Sequence, residues 1–425
     1  MSTANSKKRE QKIYYGWVIV AISAMGIFFS GPGQTYSISV FVGSFVEQFH
    51  GNDTLVSGIY SAATLLSGGL LFLVGRGVDR FGQQMMGIIA TVMLGIACLW
   101  SSLVANPVML FIAFFMLRFF GQGSMTLIPN TLVPQWFIKK RGRAMSLMAM
   151  GSFISAVTFP LLNTWLIKQF GSEHAWQILG ILVVVIFLPV SAFFIKNKPE
   201  DIGLMPDNAS HRPKKNTEAI EGSENVEEVN WTLKEAKKTR AFWLMLFCVA
   251  IPALVNTAIT FHLFRIFEEH HLSMGMASFT LSLMAIIGFP VTMIAGFILE
   301  KVPVHKVIGL SFIGTLIFLI LLLFMDSVFE TVIFGVLWGL MNGFERITLN
   351  IVWPNYFGLT NLGSIRGLAQ TMMVIGSALG PLPLAIAFER FRSFNEAILL
   401  LMILPLLGVI AAFNSPPPKK ENYVY

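Results

Sequence analysis

Apolar runs long enough to cross a bilayer recur along this chain from one end to the other, and no other feature limits its fold so tightly. A hydrocarbon core about 30 Å thick takes about 20 residues of helix. Read between charged and Gly/Pro-rich breaks, such runs fall near Tyr15–Phe45, Leu55–Gly75, Met85–Val104, Val108–Val133, Ala144–Ile167, Ala175–Ile195, Ala241–Phe267, Ala277–Leu299, Val307–Met325, Val328–Trp353, Ile365–Phe388 and Ala397–Phe413. With 55% hydrophobic and only 12% charged residues, the chain has too little polar surface for a water-soluble globule. Backbone groups in hydrocarbon must bond one another, which favours helices. The expected fold is therefore an all-α membrane protein of twelve transmembrane helices.

Charge sets the orientation. Of 30 Lys and Arg, 24 lie in the N-terminus, the C-terminal tail and alternate loops beginning after the second run. The opposite loops hold three: Lys168, Arg390 and Arg392. By the positive-inside rule both termini are expected in the cytoplasm. A net charge of +7 distributed by loop, with no basic face, speaks against nucleic acid. Lys7, Lys8, Arg9 and Lys12 lead into an apolar run too long for a cleavable leader, so the first helix is expected to be retained. Cys98 and Cys248 each sit alone in apolar runs, which gives neither a disulfide nor a metal site.

The longest polar stretch divides the runs six and six. The expected organisation is a cytoplasmic N-terminus over 1–13, a six-helix bundle over 14–196, a cytoplasmic linker over 197–240, a second bundle over 241–413 and a cytoplasmic tail over 414–425. Within the linker, Trp231–Arg240 reads either as a short amphipathic helix on the membrane surface or as plain solvated chain. The halves also share residues in order. Gly75-x-x-x-Asp79-Arg80 corresponds to Gly296-x-x-x-Glu300-Lys301, and Gly123, Asn130, Pro134 and Phe137 correspond, at a shift of 220, to Gly343, Asn350, Pro354 and Phe357. Further on, Arg141-Gly142 and Gly151-Ser152 correspond to Arg366-Gly367 and Gly376-Ser377. An ordered series of this kind is the mark of a duplicated bundle.

The segment Gly75-Arg76-Gly77-Val78-Asp79-Arg80-Phe81-Gly82 resembles the loop signature of the major facilitator superfamily, with Gln83 and Gln84 where basic residues are usual. That resemblance implies two pseudo-symmetric six-helix bundles. It also implies a cytoplasmic gate built from Gly75, Asp79, Arg80 and Gly82, with Glu300 and Lys301 as the second copy. Three further segments resemble the oxalate/formate antiporter and monocarboxylate transporter branch: Tyr15-Gly16-Trp17, the run from Lys198 to Asp207, and Thr232–Ala236 with Thr239–Trp243. The branch implies a small organic anion, most often a carboxylate, frequently moved with a proton.

Ionisable and polar residues at membrane depth are the candidate site. In the first run Gly31-Pro32-Gly33 interrupts the helix, which would aim Gln34 and Tyr36 inward; packing alone is an equal reading. Arg118 in the fourth run, with Gln122 and Thr126 at fourth positions, makes a polar stripe suited to an anion or to a structural ion pair. The tenth run carries Asn342, Arg346 and Asn350 on one face, with Glu345 turned away by about 100°. Glu345 is read as a counter-ion to Arg346 or Arg118, or as a proton-coupling group. His262 and Arg265 share a face at the outer end of the seventh run and could attract an anion to the external mouth, or Arg265 could snorkel to the interface. Glu268-Glu269-His270-His271 reads as a solvated rim, since adjacent helical residues point apart. Gly376 and Gly380-Pro381 permit a close helix contact.

These readings combine into alternating access, with a carboxylate held between Arg118 and Arg346. Proton symport follows if Glu345 takes up a proton; uniport or exchange follows if it does not. An exporter of an amphipathic or sugar-like solute is the alternative within transporters, and a membrane sensor or enzyme the alternative outside them. No nucleophile elbow, zincin motif or P-loop is present. The expected partners are an anionic small solute and the lipid bilayer, with neither cofactor nor nucleic acid. The expected setting is a plasma membrane, such as a bacterial inner membrane, with the chain acting as a monomer.

Overall fold

The computed structural model describes residues 14–137, 140–208, 231–299, 302–358 and 362–418, and the apolar runs within them are helical. Among the described residues, ten helices are long and apolar enough to cross a membrane. One of these, Arg143–Phe194, has 52 residues and is broken at Gly171, so it makes two crossings. The first crossing is itself interrupted: Tyr15–Phe29 and Thr35–Gln48 flank a tight turn at Gly31–Gly33. Twelve spans result, in two six-helix bundles, and they are numbered here in chain order.

Span two, Asp53–Val78, passes into span three, Arg80–Ser101, through Gly82 at φ 81° and ψ 165°. Gly171 adopts the same angles between spans five and six. That backbone region is essentially restricted to glycine, because a Cβ would collide with its own peptide. The chain folds back sharply enough at Gly82 that Met86 packs where a Cβ on Gly77 would stand.

Within each bundle glycines allow helix axes to approach. A Cβ on Gly151 would lie 2.0 Å from the carbonyl oxygen of Ala24, joining span five to span one. A Cβ on its repeat counterpart Gly376 would lie 2.7 Å from the carbonyl oxygen of Ala250, joining span eleven to span seven (Arg240–Glu269). Lipid offers helices no hydrophobic drive to associate, so close packing at small residues holds them together. The same contact therefore recurs in both halves. Large apolar side chains on the outer faces, such as Phe193, Leu310 and Phe329, are exposed, as suits helices solvated by lipid.

At the end of the molecule bearing the linker, the branch-like segments pack together. The Tyr14 hydroxyl donates to the carbonyls of Trp136 at 2.9 Å and Met205 at 3.1 Å, and Tyr15 donates to that of Phe194 at 2.8 Å. Asp207 accepts from the Lys140 amide at 3.2 Å. On the second bundle the Trp231 amide donates to the Phe357 carbonyl at 3.0 Å, and the indole is buried. Within Trp231–Arg240, read either as a surface helix or as solvated chain, the structure has one short helix, Leu233–Ala236, with a capping box from Thr232 and Glu235. Burial of Trp231 against Phe357 takes it out of the membrane surface and into the protein.

Candidate functional site

Three polar clusters lie between or just behind the bundles, and each follows from a local break in helical regularity. In the first bundle, the turn at Gly31–Gly33 frees carbonyls from the helical ladder. Arg118 uses this opening: its Nη1 donates to Gly33 O at 3.4 Å and Thr35 Oγ1 at 3.1 Å, and the guanidinium lies 5.3 Å over the Tyr60 ring. Thr35 Oγ1 and the Tyr60 hydroxyl are 2.9 Å apart. Arg118 itself is only 3% exposed. The backbone over Leu117–Ser124 is π-helical, which adds residues to the turn. Of the expected stripe of Arg118, Gln122 and Thr126, Arg118 is buried and Gln122 partly exposed. Thr126 bonds back to the carbonyl of Gln122 at 2.5 Å.

Span one supplies Gln34 and Tyr36 beside this turn. Gln34 donates to Ser30 Oγ at 3.0 Å, and the Tyr36 hydroxyl donates to Ser155 Oγ on span five at 2.8 Å. Tyr36 also feels the charge of Arg346 from the opposite bundle. Arg346 lies deep among protein atoms, yet its side chain is exposed to solvent. That combination belongs to a residue lining an interior space. Arg118 and Arg346, expected to share one anion site, are thus placed differently: one inside the wall of the first bundle, the other on the surface of the second.

In the second bundle Asn256 of span seven organises a buried node. Its Oδ1 accepts from Trp338 Nε1 at 2.7 Å and Asn342 Nδ2 at 3.0 Å, and its Nδ2 reaches Glu345 Oε2 at 3.5 Å. Thr315 Oγ1 lies 2.8 Å from Glu345 Oε1. Asn342 donates into this node. Glu345 is 6% exposed and held by neutral groups, a different setting from the counter-ion role considered for it.

The third cluster joins the bundles at the end remote from the linker. Asp53, wholly buried at the start of span two, forms an ion pair with Arg265 of span seven. The Thr54 amide donates to Glu389 Oε1 at 3.0 Å. His262 is buried; its Nε2 donates to the Pro381 carbonyl at 2.9 Å and lies 3.5 Å from Ser57 Oγ. The Phe261 and Tyr60 rings meet at 4.5 Å. Arg265 therefore helps close this end instead of forming an open mouth, because Asp53 comes from the other bundle; His262 is held mainly within its own bundle by Pro381 and meets the other bundle at Ser57. On the opposite flank Ser282 Oγ donates to Val157 O at 2.7 Å, and Phe153 stacks on Phe289 at 4.7 Å.

The remaining expected residues lie apart. Gly75 and Arg80 sit on spans two and three, with Arg80 5.2 Å over the Phe81 ring. A Cβ at Gly82 would meet Asn197. Gln84, the departure from the usual basic pattern, is held by Asn197 Oδ1 at 2.9 Å. The side chains of Asp79 and Asn350, and residues Glu300 and Lys301, lie outside the described residues. Glu269 accepts from the Phe394 amide at 3.0 Å, and His270 lies 3.4 Å from Asp326. Among the described residues no group of three or more metal-ligating side chains forms.

Sequence reasoning missed Asp53, placed outside span two, and Asn256. Signals for both exist. Asn52-Asp53-Thr54 is a helix-start pattern, and Asn52 Oδ1 indeed caps the Leu55 amide at 2.8 Å. Asn256 is a lone amide in an apolar span.

Two repeated six-helix bundles, closed on one another at one end and presenting a cation to the space between them, define a multi-pass membrane transporter. The chain belongs to the Major Facilitator Superfamily, whose family model matches residues 17–381 and 266–422. Among curated relatives, an uncharacterized MFS-type transporter of Escherichia coli, YhjX, is 23% identical over 355 residues, covering 81% of this chain and 82% of that one. The cis,cis-muconate transport protein of Acinetobacter baylyi is 24% identical over 345 residues, or 76% of each chain. Monocarboxylate transporter 9 of Mus musculus is 26% identical over 173 residues, 40% of this chain and 33% of its own. Among solved structures, a bacterial homolog of the human lysosomal transporter Spinster superposes with a TM-score of 0.75 at 12% identity, covering 95% of this chain and 97% of that one. The fold is shared with it.

Proposed function

We propose that this chain is a secondary transporter of a small organic anion, a monocarboxylate or dicarboxylate, working by alternating access as a monomer. The observation that carries this reading is Arg346: a guanidinium at the depth of span ten, exposed to solvent, facing Tyr36 of the other bundle. A cation at membrane depth costs at least ~2.5–3.5 kcal/mol on insertion scales and is usually there for function. A carboxylate can accept two parallel hydrogen bonds from a guanidinium. Neutralising Arg346 in this way lowers the cost of closing the bundles around it.

The contacts Asp53–Arg265, Ser57–His262 and Tyr60–Phe261 join the bundles at the remote end, which supports access to Arg346 from the linker end. With the linker end cytoplasmic, as the Lys and Arg distribution favours, the conformation is inward-open in a plasma membrane. Arg118 then supports the site from behind, fixing Thr35 and the broken turn of span one. Relatives named for muconate and for monocarboxylates make those carboxylates the first to test.

Uptake of labelled monocarboxylates and dicarboxylates into proteoliposomes tests the reading. Arg346→Gln is expected to lower uptake of the transported carboxylate at least tenfold with unchanged folded yield, and Arg346→Lys to restore part of it. Unchanged transport by Arg346→Gln removes Arg346 from the site.

A further inference from the structure

The first bundle holds a cavity of its own at the end remote from the linker, about 380 Å³ in volume. Small-molecule sites commonly occupy roughly 300–1,000 Å³. Its walls are the second half of span one, the end of span three and the start of span six, so every lining residue belongs to one bundle. The cavity therefore stands apart from the space between the bundles, and whatever it binds is independent of the anion reading of Arg346.

Its lining is rich in acceptors and poor in donors. Glu47 and Glu173 supply two carboxylates, and no Lys, Arg or His lines it. Arg265, whose field reaches Glu47, is already paired with Asp53. Gln48 donates through Nε2 to the Val104 carbonyl, which leaves the acceptor Oε1 as the other end of its amide. The Ser101 hydroxyl donates to Ala97 O and the Ser102 hydroxyl to Leu99 O, both at 2.7 Å. Each proton is thus spent on its own chain, and the oxygens face a ligand as acceptors. Such a lining calls for a cation with several N–H donors. The floor narrows the class further. Phe41 and Trp176 are buried and stack at 4.1 Å. Aromatic rings suit the carbon and the charge of an organic ammonium, whereas a hydrated metal ion would leave them unused; among the described residues no three metal-ligating side chains come together. Trp176 gives a second, independent sign of an occupant: it is 1% exposed and its Nε1 has no hydrogen-bond partner among the described residues. A buried indole N–H usually has one, and an oxygen close to the ammonium is the acceptor that this donor calls for.

We propose that this cavity binds a primary ammonium carrying a nearby oxygen, the amino-alcohol group of ethanolamine, with Glu47, Glu173 and Gln48 accepting from the nitrogen and Phe41 and Trp176 beneath it. Two carboxylates against one ammonium leave the site attractive to a cation and repellent to an anion, so it does not compete for the transported carboxylate. Both a free solute and the headgroup of an ethanolamine lipid present this chemistry.

The test is titration calorimetry on the full chain in phosphatidylglycerol nanodiscs, which contain no amine, with ethanolamine as the probe. Saturable binding at one site is expected. Tetramethylammonium, which has the charge but no N–H, is expected to bind at least about tenfold more weakly, because it forfeits hydrogen bonds to charged acceptors. The double variant E47Q/E173Q is expected to lose ethanolamine affinity by at least about tenfold as well; both glutamates are exposed, so the fold is expected to persist, read from an unchanged thermal unfolding temperature. W176F keeps an aromatic floor without the N–H, and is expected to weaken ethanolamine severalfold while leaving ethylamine, which lacks the oxygen, unchanged. Absence of saturable ethanolamine binding overturns the proposal, as does equal binding of tetramethylammonium or undiminished binding in E47Q/E173Q. Calcium binding tighter than ethanolamine and lost in the same double variant overturns it in favour of a metal site. Equal weakening of both amines by W176F overturns the role given to the oxygen. Nanodiscs of phosphatidylethanolamine then identify the source: weakened binding of added ethanolamine assigns the group to the lipid headgroup, unchanged binding to a free solute, and either result supports the site.

Discussion

Asp53→Asn is the most informative single change to the remote closure. Asp53 is wholly buried and its partner Arg265 is 19% exposed, so the pair is largely withdrawn from water in the closed form and hydrated when the bundles part. Removing one member of a buried pair costs roughly 3–5 kcal/mol, because the other is left as an unpaired buried charge. Arg265 also lies 4.9 Å over the Phe388 ring and can reach solvent, which places the cost at the low end, about 3 kcal/mol. The equilibrium then shifts toward the form open at this end by on the order of a hundredfold. Spin labels at exposed Lys168 and Met274, one on each bundle beyond the closure, would report this as a new long-distance population. The charge-reversed pair Asp53→Arg with Arg265→Asp should return part of the short-distance population. An unchanged distance distribution in Asp53→Asn would refute the claim that this pair holds the end shut.

Further outcomes follow from the packing. Arg118→Lys should lower the thermal unfolding temperature in detergent more than Arg346→Lys does, because only Arg118 bridges Gly33 and Thr35 inside the first bundle; equal effects would argue against a supporting role. Gly151→Ala should destabilise more than Gly376→Ala, since its Cβ would stand 2.0 Å from backbone against 2.7 Å; overpacking costs about 1–3 kcal/mol, read from thermal unfolding. Gly82→Ala should cost more than Gly171→Ala by the same measurement. Both share the strained angles, worth roughly 1–3 kcal/mol, but only Gly82 would also meet Asn197.

The number and placement of the spans were legible in the sequence because hydropathy is a one-dimensional quantity and the bilayer fixes its length scale. The duplication was legible for a similar reason: glycines such as Gly151 and Gly376 are kept where helix axes touch, whichever bundle they serve. The ionisable residues at membrane depth, Arg118, Arg346 and Glu345, stood out by the cost of their surroundings.

What those residues face was decided only by tertiary structure. Arg118 lies in the wall behind the broken first span, bonded to Gly33 O and Thr35 Oγ1, and no periodicity in the sequence announces those partners or the π-helical backbone over Leu117–Ser124. Arg265 finds Asp53, and Glu345 finds Thr315 and Asn256, across separations of tens to hundreds of residues. Hydrophobic patterning tells each helix which solvent it prefers, while the partner of a buried polar atom depends on which helices lie side by side and on their rotation. That is information a single chain carries only after it has folded.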